Sequence, residues 1–292
     1  MKNDFWQTLP DEIDATTYRS LHPDLGHMPD TELLDHYAKH GRKEGRTANG
    51  LRDRNAFAAL VPESASVLEI GPFCNPMLRG PNVSYFDVLS EAELVERAKS
   101  IGGDPAGVPH IDYISPTGEL STVNHRFDVV ISSHCLEHQP DLVGHLQDVW
   151  RLLLPGGAYF LLVPDKFYCF DHFIPLSNIA EIIVAHRQLH KMHTLRSVIE
   201  HRALTVHNDS LRHWQGDHGV MFENFEQRLQ ETLHEFDNAK GGYIDVHAWY
   251  FSPDSAAAIF SALGDTNLIP FGVHRVYPTR YGANEFWMIL RA

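Results

Sequence analysis

Between residues 65 and 165 the chain alternates short, unbroken apolar runs with stretches of helical spacing. The runs are 65–70, 83–88, 127–132 and 158–163; the first ends at Gly71 and the last at Pro164. Unbroken apolarity over so short a length is what a strand buried on both faces of a parallel sheet requires. Between the last two runs Leu142, Leu146, Val149 and Leu153 recur at the helical period. Asp141 stands in the first turn of that helix, and Gly156 and Gly157 close it. Strands alternating with helices predict an α/β fold built on a doubly wound sheet.

The flanks keep a different rhythm. Residues 1–50 predict a small helical element of their own. There 30–40 carries Leu33, Leu34 and Tyr37 at helical spacing with Gly41 as C-cap, and 18–25 is a short helix or turn ended by Pro23. The sheet-forming core is 51–165, and 166–243 predicts a helical insertion lying over the carboxyl edge of the sheet as a lid. Its amphipathic helices fall at 177–203 and 221–238, joined by the polar stretch 206–218. The chain returns to the core through 244–292, with a helix from Pro253 to Leu263 and a closing hairpin of 268–277 and 285–290.

Composition narrows the partners. A chain of 292 residues, 43% hydrophobic and 21% charged, can bury a sizeable core. Its formal net charge is −14, and its longest basic patch, Arg42-Lys43-Glu44-Gly45-Arg46, is interrupted by an acid. That balance argues against nucleic acid as a partner. Three cysteines, Cys74, Cys135 and Cys169, make no disulfide framework. The first residues lack a signal-peptide run, and no segment approaches the roughly 20 apolar residues that cross a bilayer. The expectation is a cytoplasmic protein without membrane insertion.

Candidate chemistry lies where the runs end. The first gives Glu69-Ile70-Gly71-Pro72-Phe73-Cys74-Asn75-Pro76, and the second ends at Asp87. In an open α/β sheet ligands bind at the carboxyl ends of the strands, and a glycine there lets backbone approach the ligand. An acid closing the second strand can accept two hydrogen bonds from a ribose diol. The third run continues as Ser132-Ser133-His134-Cys135-Leu136-Glu137-His138, followed by the helix and Arg151-Leu152-Leu153-Leu154-Pro155-Gly156-Gly157. These segments resemble the class I S-adenosylmethionine-dependent methyltransferases. The resemblance covers 65–165 and extends loosely to 253–291.

The resemblance implies a Rossmann-like sheet with an antiparallel last strand, and S-adenosylmethionine as cofactor. It implies that Glu69 and Gly71, with Pro72 and Phe73 following, lie under the methionine part. It gives Asp87 and Val88 to the ribose, Asp112 and Tyr113 to the neighbourhood of the adenine amino group, and Ser133 and His134 to the methionine end and transfer site. Phe73 and Asn75 stand where the family usually has further glycines, so the loop takes another course or holds the cofactor weakly. Separately, 18–46 resembles a small helical module found beside bacterial surface-glycan enzymes, with His22 where that pattern has Asn. This points to a small polar acceptor such as a sugar or glycan, methylated on oxygen or nitrogen.

Catalytic candidates come from Asp/His pairings near the expected cleft. His247 alternates with Asp245 and Trp249, so an extended segment would turn all three one way. His247 is the expected base or substrate ligand, His172 the next, and Asp165 a polar anchor. Glu137 and His138 are expected to cap or brace the following helix. The pairs His134/His138, His186/His190 and His190/His193 have ligand spacing but no third ligand, so no metal site is expected. The cysteines, all placed at one edge of the sheet, read as small packers. The rivals are a non-catalytic cofactor-binding module of the same fold and a metal-assisted methyltransferase. The missing G-x-G-x-x-G speaks against a dehydrogenase.

Overall fold

The computed structural model of the chain describes residues 8–292. The strands are β1 (Val67–Ile70), β2 (Val83–Asp87), β3 (Tyr113–Ile114), β4 (Phe127–Ser133), β5 (Leu153–Pro164), β6 (Gly272–Tyr277) and β7 (Glu285–Arg291). They form one seven-stranded sheet in the order β3-β2-β1-β4-β5-β7-β6. The β1–β2, β2–β3, β1–β4 and β4–β5 pairs are parallel, and β7 runs antiparallel between β5 and β6. The fold is therefore the expected doubly wound sheet with its antiparallel last strand. The strand order reverses between β1 and β4, which places the ligand crevice at their carboxyl ends.

Alternation along the strands builds a core on each face. Leu68, Ile70, Val130, Tyr159 and Leu161 point to one side, where α5 (Leu142–Arg151) and α10 (Pro253–Asp265) bring Leu142, Leu146, Val149, Ile259, Phe260 and Leu263. Val67, Val129, Ile131, Phe160 and Leu162 point to the other, where Phe57 of α3 (Arg54–Ala58) stacks on Trp287. Each such buried Leu or Phe contributes on the order of 2 kcal/mol. The helix α4 (Glu91–Ser100), capped by Ser90 and Glu93, packs Leu94 against Tyr85 and Ile111.

Several boundaries differ from expectation. Gly156 and Gly157 do not end a helix; α5 stops at Arg151 and β5 already begins at Leu153. The register jumps from Phe127↔Leu153 to Val129↔Ala158, so the glycines sit in a bulge. There Gly156 has φ +75, and a Cβ on Gly157 would lie 2.8 Å from the Asp128 carbonyl. The predicted helix 177–203 is two helices, α6 (Ile179–Arg187) and α7 (Leu195–Ala203). Leu189 turns left-handed at φ +53 between them, and Thr194 restarts the helix by accepting the Ser197 N–H. The polar stretch forms α8 (Ser210–Trp214), and α9 (Phe225–Ala239) follows.

The N-terminal element, with α1 (Ala15–Leu21) and α2 (Asp30–His36), has its own core of Tyr18, Leu25, Leu33, Tyr37 and Ala48. Gly41 is not its cap. The helix runs on as a π turn, and a Cβ at Gly41 would fall 2.1 Å from the hydroxyl of the buried Tyr18. The element is fastened to the core by the Tyr281 N–H on the Gly45 carbonyl and by the Arg42–Asp254 ion pair. Among the described residues no helix is long and apolar enough to cross a membrane.

Candidate active site

Two adjoining cavities open at the carboxyl ends of β1, β2 and β4. The smaller, of 380 Å³, is lined by Gly71, Phe73, Asp87, Val88, Arg97, Ile101, Gly118, Leu120, Ser133 and His134, among others. Gly71 is required twice over. It has φ +69, and any Cβ would lie 2.4 Å from the Cys135 Sγ. Asp87 ends β2 with its side chain nearly buried and its Oδ1 held by the Leu89 N–H. Burial pushes its pKa up, against those backbone bonds. Arg97, on α4, sets its guanidinium over the Phe73 ring and pairs with Asp245 at 2.8 Å. Tyr243 and Asp245 close the side facing the insertion.

Glu69 explains the loop that lacks the family's glycines. Its carboxylate accepts the Met77 and Leu78 N–H groups at 2.6 and 3.1 Å, and burial pushes its pKa to about 7. The loop between them follows its own course: Phe73 is left-handed at φ +46, and the Cys74 carbonyl packs where a Cβ on Gly107 would be, 2.0 Å away. The strain of a non-glycine residue in this conformation is stored at the cavity wall, as at many functional sites.

The larger cavity, of 760 Å³, begins at Glu69, Gly71, Ser133 and His134 and runs out to a polar wall. That wall comprises Gly45 and Thr47 of the N-terminal element, Arg52, Asp53 and Arg54, and residues 280–285. His134 lines both cavities, with φ +52, a second strained position. Its Nε2 lies 2.8 Å from Glu285 Oε2, which also accepts from Arg54 Nη2 at 3.0 Å. Arg54 donates as well to the Ser133 hydroxyl. Burial raises the Glu285 pKa, but the His134 hydrogen bond and the His134 and Arg54 charges outweigh it and hold it below the usual value. Glu285 reaches the site because β7 is antiparallel: Pro164 pairs with Glu285, so the first residue of β7 lies at the carboxyl edge of β5.

The structure brings Glu69, Gly71, Pro72, Phe73, Asp87, Val88, Ser133 and His134 together along the two cavities. It does not bring Asp112 or Tyr113 there. β3 has only two residues, and Asp112 just before it turns its exposed carboxylate back onto the Tyr85 N–H. The Tyr113 hydroxyl goes to His125. The catalytic candidates also lie elsewhere. His247 is buried and lines neither cavity; its Nδ1 is 2.7 Å from Asp171 Oδ2, and burial depresses its pKa to about 3. Asp245, expected to orient it, faces Arg97 and His138 instead. His172 stacks on His218 and is held by the Phe167 carbonyl. Asp165 is a buried strut accepting from Thr279, its pKa raised by burial to about 6.

The insertion differs from its expected part too. Its helices line neither cavity; α8 buttresses the wall of the larger one through Trp214 Nε1 to the Ala283 carbonyl and Ser210 to the Gly282 carbonyl. The histidines of the other two pairs separate: His186 binds Asp141, His190 binds Gln188, and His193 is buried apart. All three cysteines lie near the carboxyl edge, and burial pushes the Cys135 and Cys169 thiols up. Arg54, Arg97, Arg280 and Glu285 join the site without having been anticipated. Only Glu285 carried a signal, a lone charge opening an apolar run.

A family model described as a methyltransferase domain matches residues 40–267. The chain belongs to this family, and it is a class I S-adenosylmethionine-dependent methyltransferase. No curated protein sequence matches it. Among solved structures, the CcbJ methyltransferase of Streptomyces caelestis is 12% identical, with 86% of this chain and 95% of that one covered and a TM-score of 0.41. The Burkholderia thailandensis 1,6-didemethyltoxoflavin-N1-methyltransferase is 14% identical, with 89% and 85% covered and a TM-score of 0.43. The N-terminal domain of EvdMO1 is 15% identical, with 85% of each chain covered and a TM-score of 0.37.

The residues present fit the cofactor. Gly71 supplies close backbone approach, Asp87 a carboxylate for vicinal hydroxyls, and Asp245 and Glu285 negative charge around a cationic ligand.

Proposed function

We propose that the adenosine of the cofactor occupies the smaller cavity, its methionine end crosses Gly71 toward Ser133 and His134, and a small polar acceptor of the sugar or glycan class enters the larger cavity. When bound, S-adenosylmethionine supplies an electrophilic methyl group. The chain must then hold the acceptor in line, exclude water and take up one proton. The His134–Glu285 pair is suited to the last task. Glu285, kept ionised, shares a hydrogen bond with His134 Nε2 at the wall of the larger cavity, so the pair offers the proton acceptor on that side. Arg54 fixes the carboxylate and Ser133 together. The single observation that carries this proposal is the position of His134 where the two cavities meet.

The polar wall supports the acceptor class. Arg280 lies over the Trp287 ring and donates Nη2 to Asn49, while its Nη1 is buried with no hydrogen-bond partner. An unmet donor in a ligand cavity favours an acceptor rich in oxygen. The Thr47 and Gly45 lining gives the N-terminal element a part in the acceptor site. Incubation with S-adenosylmethionine and a panel of hexoses, amino sugars, uronic acids and simple phenols tests the proposal, read as S-adenosylhomocysteine release and acceptor mass. The sugars are expected to turn over, and Arg280→Ala to raise their KM about 10-fold or more, the effect of losing a hydrogen bond from a charged group. Turnover of the phenols alone would overturn the acceptor class.

A further inference from the structure

Glu137 is wholly buried, and neither oxygen of its carboxylate has a hydrogen-bond partner. An orphaned buried carboxylate is costly and calls for a counter-group. Three imidazole nitrogens surround its Oε1: His247 Nε2 at 3.8 Å, and His138 Nε2 and His134 Nδ1 each at 3.9 Å. These separations are too long for direct hydrogen bonds.

The other nitrogen of each ring faces a second carboxylate. His247 Nδ1 is 2.7 Å from Asp171, His138 Nδ1 is 3.0 Å from Asp245 at a bent angle, and His134 Nε2 is 2.8 Å from Glu285. Asp171 and Glu285 hold the N–H of His247 and His134 at the outer nitrogens, so the inner nitrogens of these two rings carry lone pairs. Three imidazole nitrogens and a carboxylate oxygen thus converge on one point without a hydrogen bond among them. A metal-ligating imidazole typically donates its far N–H to a carboxylate, the arrangement that His247 has with Asp171.

We propose that Glu137, His138 Nε2 and His247 Nε2 bind a divalent transition-metal ion of the zinc class, with Asp245 and Asp171 as the outer carboxylates. The ligand atoms of these three residues all lie within 4.8 Å of one another. The His138 and His247 rings are nearly perpendicular, at 85°, so both planes can contain one ion. A donor set of two imidazoles and a carboxylate suits zinc, iron, copper or nickel rather than magnesium or calcium. The ion would tie together the turn after β4, the Asp171 loop and the segment entering α10, beside the cofactor cavity that His138 lines. The cluster of His172, His213 and His218 lacks this geometry. The His172 and His218 rings are parallel within 10° at 3.7 Å, so their planes do not meet at an ion.

The full chain, stripped with a chelator, is titrated with Zn²⁺ against a chromophoric competitor. One Zn²⁺ per chain is expected. Glu137→Gln, which keeps the side-chain shape, should weaken it at least about 100-fold, and Asp245→Asn about 10- to 100-fold. The His172→Ala/His218→Ala double variant should bind as tightly as the wild type. The Co²⁺ form of the wild-type chain, which needs no variant, should show ligand-field bands without a thiolate charge-transfer band. No Zn²⁺ binding, full affinity in folded Glu137→Gln, loss in the His172/His218 variant, or a thiolate band would each overturn the proposal.

Discussion

The Gly71→Ala variant is expected to bind S-adenosylhomocysteine about 100-fold more weakly than the wild type. An alanine at φ +69 carries the left-handed penalty of roughly 1–2 kcal/mol. Its methyl group would also sit 2.4 Å from the Cys135 Sγ, and relieving that contact costs a further 1–3 kcal/mol or so. Relief means moving the loop after β1 or the turn after β4, and both line the cofactor cavity. The combined variant Gly71→Ala/Cys135→Ala removes the sulfur and should recover the contact part, about 10-fold, while the backbone part persists. Calorimetric titration separates the two. Affinity within a few-fold of wild type in Gly71→Ala would mean that the cofactor does not lie against this backbone.

His134→Ala is expected to lower kcat by about 10²–10⁴, the range that a positioned proton acceptor contributes, on the best acceptor of the sugar panel. Affinity for S-adenosylhomocysteine should change only a few-fold. Glu285→Gln should lower kcat in the same direction but less, since the amide still accepts the His134 N–H while losing the charge. Steady-state kinetics with saturating cofactor checks both. A raised KM with kcat intact would make His134 a binding residue and leave the proton to solvent.

The sheet was legible because buried parallel strands are continuous apolar runs. β1, β2, β4 and β5 are such runs, and the Asp87 and Gly71 positions follow from their ends. β3 was not legible in extent: two residues at a sheet edge leave no periodic signal, and Asp112 was given a cavity that its backbone does not reach. The helix at 177–203 read as one because its apolar spacing continues through a break made by backbone at Leu189, which periodicity does not register.

The direction in which His247 faces is not legible for a related reason. Alternation marks 244–252 as a segment that passes beside the site, with Asp245 in the cavity wall. It could not tell which side would be sealed by Asp171, a residue distant in sequence. The His134–Glu285 pair joins positions on β4's exit and β7's entry, and only the antiparallel insertion of β7 makes them neighbours. Glu137 read as a brace because its motif precedes a helix; its orphaned carboxylate is visible only in three dimensions.

Calorimetry shows whether the cavity at the ends of β1, β2 and β4 holds the cofactor with Asp87 on the ribose. S-adenosylhomocysteine is titrated into the wild-type chain and into Asp87→Ala. One site per chain is predicted for the wild type. The variant should bind weaker by about 1–3 kcal/mol, or roughly 5- to 150-fold, because ribose hydroxyls are left without their acceptor. Equal affinity in a folded Asp87→Ala, or no binding to the wild type, would contradict the claim.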